Sequence, residues 1–284
     1  MQAVRHFLLA IQFFTRIPVT GRLAQWVGFS PEMLRASAGH LPGVGWVVGL
    51  CTASVMAVLL WALPPVAASA WVAAVLSTAA GAWLTGAFHE DGLTDLVDGL
   101  GGSLDRERAL DIMKDSRIGS FGALALVLAI AAKCGLLALL ATVSPVMAVL
   151  ALWGAHVASR LPPLFIIRLL PHVGDTPRSK SKPLADAISP AAMVTGLAWW
   201  ALAMAGLHWA WPSAGWWGAV LATGVVTAFM VRWLRRRLQG FTGDALGATQ
   251  QLAEIGFYLG LAIALPASLP VPATWAGLLW LATP

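Results

Sequence analysis

The chain has 284 residues, of which 58% are hydrophobic and 11% charged, and its formal net charge is +5. Soluble domains carry about 25% charged residues. A globule of this length could not hide so much apolar surface, so a soluble enzyme is excluded. The composition predicts an all-α, polytopic helix bundle in a membrane, read as a single domain over residues 1–284.

In chain order, Met1 to Ile17 is interrupted by Arg5 and Arg16 and lacks a small-residue cleavage site, so no signal peptide is expected. Asp, Glu, Lys and Arg are absent from Ala36 to Phe88, from Ile188 to Val231 and from Ile255 onward. A membrane helix needs roughly 20 apolar residues. The first two stretches therefore hold two spans each, divided at Leu63-Pro64-Pro65 and Trp211-Pro212-Ser213. Another pair, broken near Ser144-Pro145, fills Phe121 to Ser159. The predicted spans are 41–62, 66–87, 120–141, 143–160, 191–210, 214–232 and 254–283. That makes about seven helices, or eight if Pro266, Pro270 and Pro272 fold the tail into a hairpin.

Arg5, Arg16, Arg22 and Arg35 precede the first span, and Arg178, Lys180 and Lys182 lie in the 161–190 loop. Arg232, Arg235, Arg236 and Arg237 close the sixth span. Short hairpins put all of these on one face, which the positive-inside rule makes the cytoplasmic face of the inner membrane. Gly39-x3-Gly43 and Gly45-x3-Gly49 read as close helix packing. Cys51 and Cys134 lie inside spans without metal-type spacing and read as small buried hydrophobes. No phosphate-binding loop of the nucleotide-hydrolase type occurs, and no nucleic-acid partner is expected.

The segment 88–119 is expected to be a cytoplasmic loop carrying the active site, because it gathers eight of the thirteen acidic residues. It opens with His89-Glu90-Asp91-Gly92-Leu93-Thr94-Asp95-Leu96-Val97-Asp98-Gly99. On a helix Asp91, Asp95 and Asp98 share one face at i, i+4 and i+7. Three carboxylates so placed repel one another unless a cation lies between them, and such hard oxygen ligands suit Mg²⁺, Mn²⁺ or Ca²⁺. The plainer reading is a solvated acidic helix end. His89 reads equally as a ligand, a base or a structural side chain.

Further on, Met113-Lys114-Asp115-Ser116-Arg117-Ile118-Gly119-Ser120-Phe121-Gly122 offers two cations among glycines. Lys114 and Arg117 can hold phosphate oxygens, the one as a point charge and the other as a planar fork, or they can simply anchor the chain at the membrane edge. Near the end, Asp244 stands at a membrane edge with Gln251 and Glu254 on nearly the same side. An ionisable group entering a span is a functional candidate, with a helix cap as the alternative. Lys133, inside the third span, reads as paired or snorkelling. Acidic clusters and cations on one membrane face are the equipment of metal-dependent phosphoryl transfer.

The same residues resemble the cobalamin synthase family, the adenosylcobinamide-GDP ribazoletransferases. The resemblance runs from Phe14-Thr15-Arg16-Ile17-Pro18-Val19 through Pro42-Gly43-Val44-Gly45 to the 89–99 and 113–122 motifs, and ends at Thr242-Gly243-Asp244-Ala245-Leu246-Gly247-Ala248. Thr94 stands where the family more often has Ala. The resemblance implies transfer of the adenosylcobinamide phosphate moiety of adenosylcobinamide-GDP to α-ribazole or its 5′-phosphate. GMP is released and adenosylcobalamin or its 5′-phosphate is formed, with Mg²⁺ required. On that footing Asp91, Asp95 and Asp98, supported by Glu90, are the expected Mg²⁺ ligands. Lys114 and Arg117 would neutralise the leaving GMP. Asp98 or Asp244 would take the proton of the ribazole 5′-hydroxyl, with His89 a further catalytic candidate. Membrane lipid is an expected partner, and oligomer formation is left open. A CDP-alcohol phosphotransferase is disfavoured because no Ala-Arg follows Asp91-Gly92. A transporter is disfavoured because ionisable groups look scarce within the spans.

Overall fold

The computed structural model describes residues 1–174 and 188–265, and among these the regular elements are helices. Helices α1 (Gln2–Phe14), α2 (Gly21–Val27) and α3 (Pro31–Ser37) lead through a 3-10 turn into α4 (Leu41–Ala62). Helices α5 (Ala67–Thr85), α6 (Phe88–Gly102), α7 (Arg106–Met113) and α8 (Ser120–Val143) follow. Then come α9 (Pro145–Ala158), α10 (Pro162–Leu169), α11 (Pro190–Ala210), α12 (Trp216–Arg237) and α13 (Gly243–Ala264). Proline stands in the first turn of α3, α4, α9, α10 and α11, where its missing N–H costs no helical bond. Ser30, Ser144, Ser189 and Thr242 accept from the backbone N–H three residues on, fixing the starts of α3, α9, α11 and α13.

Six segments are long and apolar enough to cross a membrane: Pro31–Ala62, Ala67–Thr85, Ser120–Val143, Pro145–Leu169, Pro190–Ala210 and Trp216–Arg237. These coincide with the first six predicted spans. Their outer faces are apolar, as at Leu124, Val127 and Leu128 on α8. Exposed Trp61, Trp209 and Trp217 flank the hairpin turns, as an interfacial aromatic belt would. The close approaches expected of the glycine pairs are present. A Cβ on Gly49 would come within 2.9 Å of the Trp153 carbonyl, and Gly45 faces the backbone of His156, so α4 lies directly on α9.

Three expectations need correction. The helix at the seventh predicted span, α13, begins at Gly243 rather than 254 and is less apolar than a lipid-facing span, because Thr249, Gln250, Gln251 and Glu254 are all buried within it. It is the inner helix of the bundle, packed by α6, α8, α9, α10 and α12, so its polar residues meet protein rather than lipid. The 88–119 segment is not a loop but two helices, α6 and α7, joined to α5 by Gly86 and Ala87, both with positive φ (74° and 57°). Cys51 is exposed on the outer face of α4, while Cys134 is buried as expected. The tail prolines that bear on an eighth span, and the cations Arg178, Lys180 and Lys182, lie outside the described residues.

Candidate active site

The site forms where α6 crosses the start of α13. Gly92 and Gly247 make the crossing possible: a Cβ on Gly92 would sit 2.8 Å from the Asp244 carbonyl, and one on Gly247 would sit 3.2 Å from the backbone of His89. The Phe14-to-Val19 motif braces the same corner. The Arg16 amide donates to the Leu84 carbonyl at 2.7 Å, and its guanidinium lies over Gly86. Phe14 packs edge-on against Phe88. Leu93, Leu96 and Leu100 bury the opposite side of α6 in the core, leaving Asp91 and part of Asp95 toward solvent.

The three aspartates of α6 have different fates. Asp91 is exposed, Asp95 is half-buried and Asp98 is buried. Burial is the main cause that lifts the Asp95 carboxyl from its ordinary 3.8 to about 7, reinforced by the charges of Asp244, Asp91 and Asp98. Asp244 is lifted to about 6, chiefly by burial and secondarily by Asp91, against a lowering hydrogen bond from Thr242. Asp91, Asp95 and Asp244 thus face one another as uncompensated like charges.

Asp98, expected as a ligand or base, is committed elsewhere. Its Oδ2 accepts from the Gly119 amide at 2.7 Å and its Oδ1 from the Gly122 amide at 2.8 Å. Those amides open α8, so the carboxylate caps that helix and meets the positive end of its dipole. Gly119 and Gly122 press so closely on the carboxylate that no larger residue fits. The glycines of the 113–122 motif are explained by this contact rather than by flexibility.

Glu90 and His89 also turn away from the acidic face. Glu90 Oε1 accepts from Gln251 Nε2 at 3.1 Å, inside the bundle. His89 is buried, and burial, with the nearby Arg160, holds its pKa well below the ordinary range, so the ring is neutral and closed to substrate. Lys114 and Arg117 are exposed between Met113, which packs on Gly99, and Gly119, which packs on Asp98. Lys114 reaches Asp111 at 4.0 Å, and Arg117 holds Asp115 at 2.6 Å. That neighbour keeps the Asp115 carboxyl low, at about 2.

The sequence reading missed a second polar cluster beneath this one, in the interior of the bundle. Lys133 Nζ lies 2.7 Å from Glu254 Oε1, so the pairing expectation for Lys133 holds. The Tyr258 hydroxyl donates to the same Glu254 at 3.0 Å, and Gln250 donates to Glu254 and to the Ser159 hydroxyl at 2.9 and 2.8 Å. Arg160, 1% exposed, donates to the His156 carbonyl at 2.7 Å. Gln251 donates to Gln250 as well as to Glu90, so it ties this cluster to α6. Arg160 was legible as an ionisable residue at the end of a span.

Among the described residues, no three His, Cys, Asp or Glu side chains are gathered about one point as a ready-made metal shell. The donor set that faces solvent, Asp91, Asp95 and Asp244, is nonetheless all carboxylate. A magnesium ion commonly takes one or two carboxylates and completes its shell with water and substrate phosphates. The mutual repulsion of these three groups is what a cation would relieve, so the residues fit such an ion.

A family model described as cobalamin-5-phosphate synthase matches residues 6–262. The adenosylcobinamide-GDP ribazoletransferase of Albidiferax ferrireducens is 59% identical over 279 residues, covering 93% of this chain and 99% of the relative. The protein of the same name from Polaromonas naphthalenivorans is 54% identical, covering 93% of this chain and 100% of the relative. That from Vibrio cholerae is 41% identical, covering 89% of this chain and 91% of the relative. No solved structure matches.

Proposed function

The chain belongs to the cobalamin-5-phosphate synthase family, and from that premise we propose that the α6–α13 crossing is the active site of an adenosylcobinamide-GDP ribazoletransferase. The observation that carries this reading is the mutually repelling set Asp91, Asp95 and Asp244 at the mouth of the bundle, in which Asp95 and Asp244 are raised. The reaction joins adenosylcobinamide-GDP to α-ribazole or its 5′-phosphate and releases GMP. It is a transfer at phosphorus in the last steps of nucleotide-loop assembly.

The phosphorylated acceptor keeps its 5′-phosphate in the product. Its 5′ oxygen is therefore already substituted, and the expected attack by the 5′-hydroxyl gives way to another ribose hydroxyl. That oxygen forms a bond to the phosphorus bearing the cobinamide, the bond from that phosphorus to the bridging oxygen breaks, and GMP leaves with the bridging oxygen. Asp244, lifted to about 6, is poised near neutral pH to accept the hydroxyl proton. Asp98, its lone pairs engaged by amides, positions α8 instead.

Asp91 and Asp95 are the residues that would hold Mg²⁺. When bound, the ion supplies neutralisation of the diphosphate and of the charge that develops on the leaving phosphate. Lys114 and Arg117 serve the same phosphates from the rim of α7 and the loop that follows it. The site faces the cytoplasm, because Arg16, Arg35 and the arginines closing α12 lie at the same end of the bundle, as the positive-inside rule requires of an inner-membrane protein.

The test is GMP release by detergent-purified protein given adenosylcobinamide-GDP, α-ribazole 5′-phosphate and Mg²⁺. Release that requires both substrates and stops with EDTA supports the reaction and the ion together. Turnover of a CDP-alcohol in its place would assign the site to lipid-type phosphotransfer.

A further inference from the structure

A groove of about 720 Å³ lies outside the active site, between α10, α11 and α12. Its walls are apolar, with Phe165 from α10 and Leu197 and Trp200 from α11, while Gly224 opens the α12 side. The helices α11 and α12 touch each other little, so the groove stays open between two membrane-crossing segments. From Val220 to Arg236 its α12 wall rises about 24 Å at 1.5 Å per residue, most of the thickness of a bilayer's hydrocarbon core.

One end of the groove is different. Arg232, Arg235 and Arg236 line it, all three exposed. Among the described residues none of them forms an ion pair. The neighbouring Arg237 shows what a structural arginine does here: it turns inward and donates to the Leu100 and Ser103 carbonyls at 3.0 and 2.7 Å. The other three are left as an unspent triple positive charge at the mouth of an apolar slot. That end is also the active-site end, since α12 stops at Arg237 and α13 begins at Gly243.

We propose that this groove binds an anionic phospholipid, with an acyl chain between α11 and α12 and its phosphate headgroup on Arg232, Arg235 and Arg236. The match is one of charge and of polarity along the slot. A zwitterionic lipid would satisfy the walls but not the three arginines, and a soluble phosphate would satisfy the arginines but not the walls. Bound there, the lipid ties the α12 end, and so the start of α13 beside Asp244, to the membrane surface.

The test is native mass spectrometry of the full chain released from nanodiscs made of mixed phosphatidylcholine and phosphatidylglycerol. The wild type is expected to retain phosphatidylglycerol in preference to phosphatidylcholine. Replacing all three arginines by Gln should reduce that preference about fivefold per arginine removed. Gly224→Leu is the second variant. A Cβ at Gly224 meets nothing within 4 Å, so leucine fills the slot without pressing on the fold, and it favours the helix. It should lose the retained lipid with all three arginines in place. Equal retention of the two lipids by the wild type, or unchanged phosphatidylglycerol in Gly224→Leu, overturns the proposal. So does a lipid-free dimer that Gly224→Leu converts to monomer, which would make a second copy the occupant.

Discussion

Two acidic regions lie side by side in this bundle, and they solve opposite problems. At the mouth, Asp91, Asp95 and Asp244 carry like charges with no ion-pair partner among the described residues, and two of the three are lifted toward neutral pH. About three turns further along α13, Glu254 is enclosed completely, yet it meets Lys133, Tyr258 and Gln250 within 3.0 Å. Two carboxylates, Glu90 and Glu254, there stand against two cations, Lys133 and Arg160, in charge if not in every hydrogen bond, since Glu90 Oε2 and Arg160 Nε have no partner among the described residues. A buried charge is tolerated when its partners are built in. An unbalanced set at an opening holds a place for a partner that arrives from outside. Proximity of ionisable groups therefore does not by itself mark a site; the sign of the remainder does.

The comparison can be broken first at the interior. Lys133→Met leaves Glu254 buried without its cation and should cost about 3–5 kcal/mol of stability in detergent. The double variant Lys133→Met, Glu254→Gln should recover more than half of that. A single variant that melts with the wild type would mean the interior is not a closed, balanced cluster.

At the mouth the same kind of change should act on chemistry and leave the fold intact. Asp95→Asn removes one of three repelling charges, so the melting temperature holds or rises while GMP release falls at least about 10²-fold. Near-normal turnover would remove Asp95 from the proposed ligand set.

The smallest effect is a pH dependence, read from thermal melts with and without Mg²⁺. Asp95 and Asp244 have carboxyls raised in the folded protein, from an ordinary 3.8 to about 7 and about 6. Their stabilising contribution is fully present below the ordinary value and is lost as pH rises through the raised ones. Without the ion, melting should drop by roughly 2–4 °C between pH 5 and pH 8 from this cause. Mg²⁺ should restore it at pH 8 and do little at pH 5, where both carboxyls are protonated. An equal effect of Mg²⁺ at both values would detach the ion from these groups.

What the sequence by itself determined follows from effects that are local or additive along the chain. Charge-free runs of membrane length and the Pro-Pro and Pro-Ser breakers located six spans, with the first starting earlier and the fourth ending later than predicted, because insertion sums over consecutive side chains. The i, i+4, i+7 spacing put Asp91, Asp95 and Asp98 on one side of α6, because helical geometry is fixed. Which of them stays free was not legible. Asp98 is claimed by the amides of Gly119 and Gly122, and Glu90 by Gln251 from a helix far along the chain. The polar run Thr249 to Glu254 looked like the edge of a span and is instead the interior of the bundle, because α13 is surrounded by other helices rather than by lipid. Only the tertiary structure decided these matters. Burial, charge balance and the partner of each polar group depend on which surfaces meet, and a one-dimensional pattern records a helix's own faces but not what covers them.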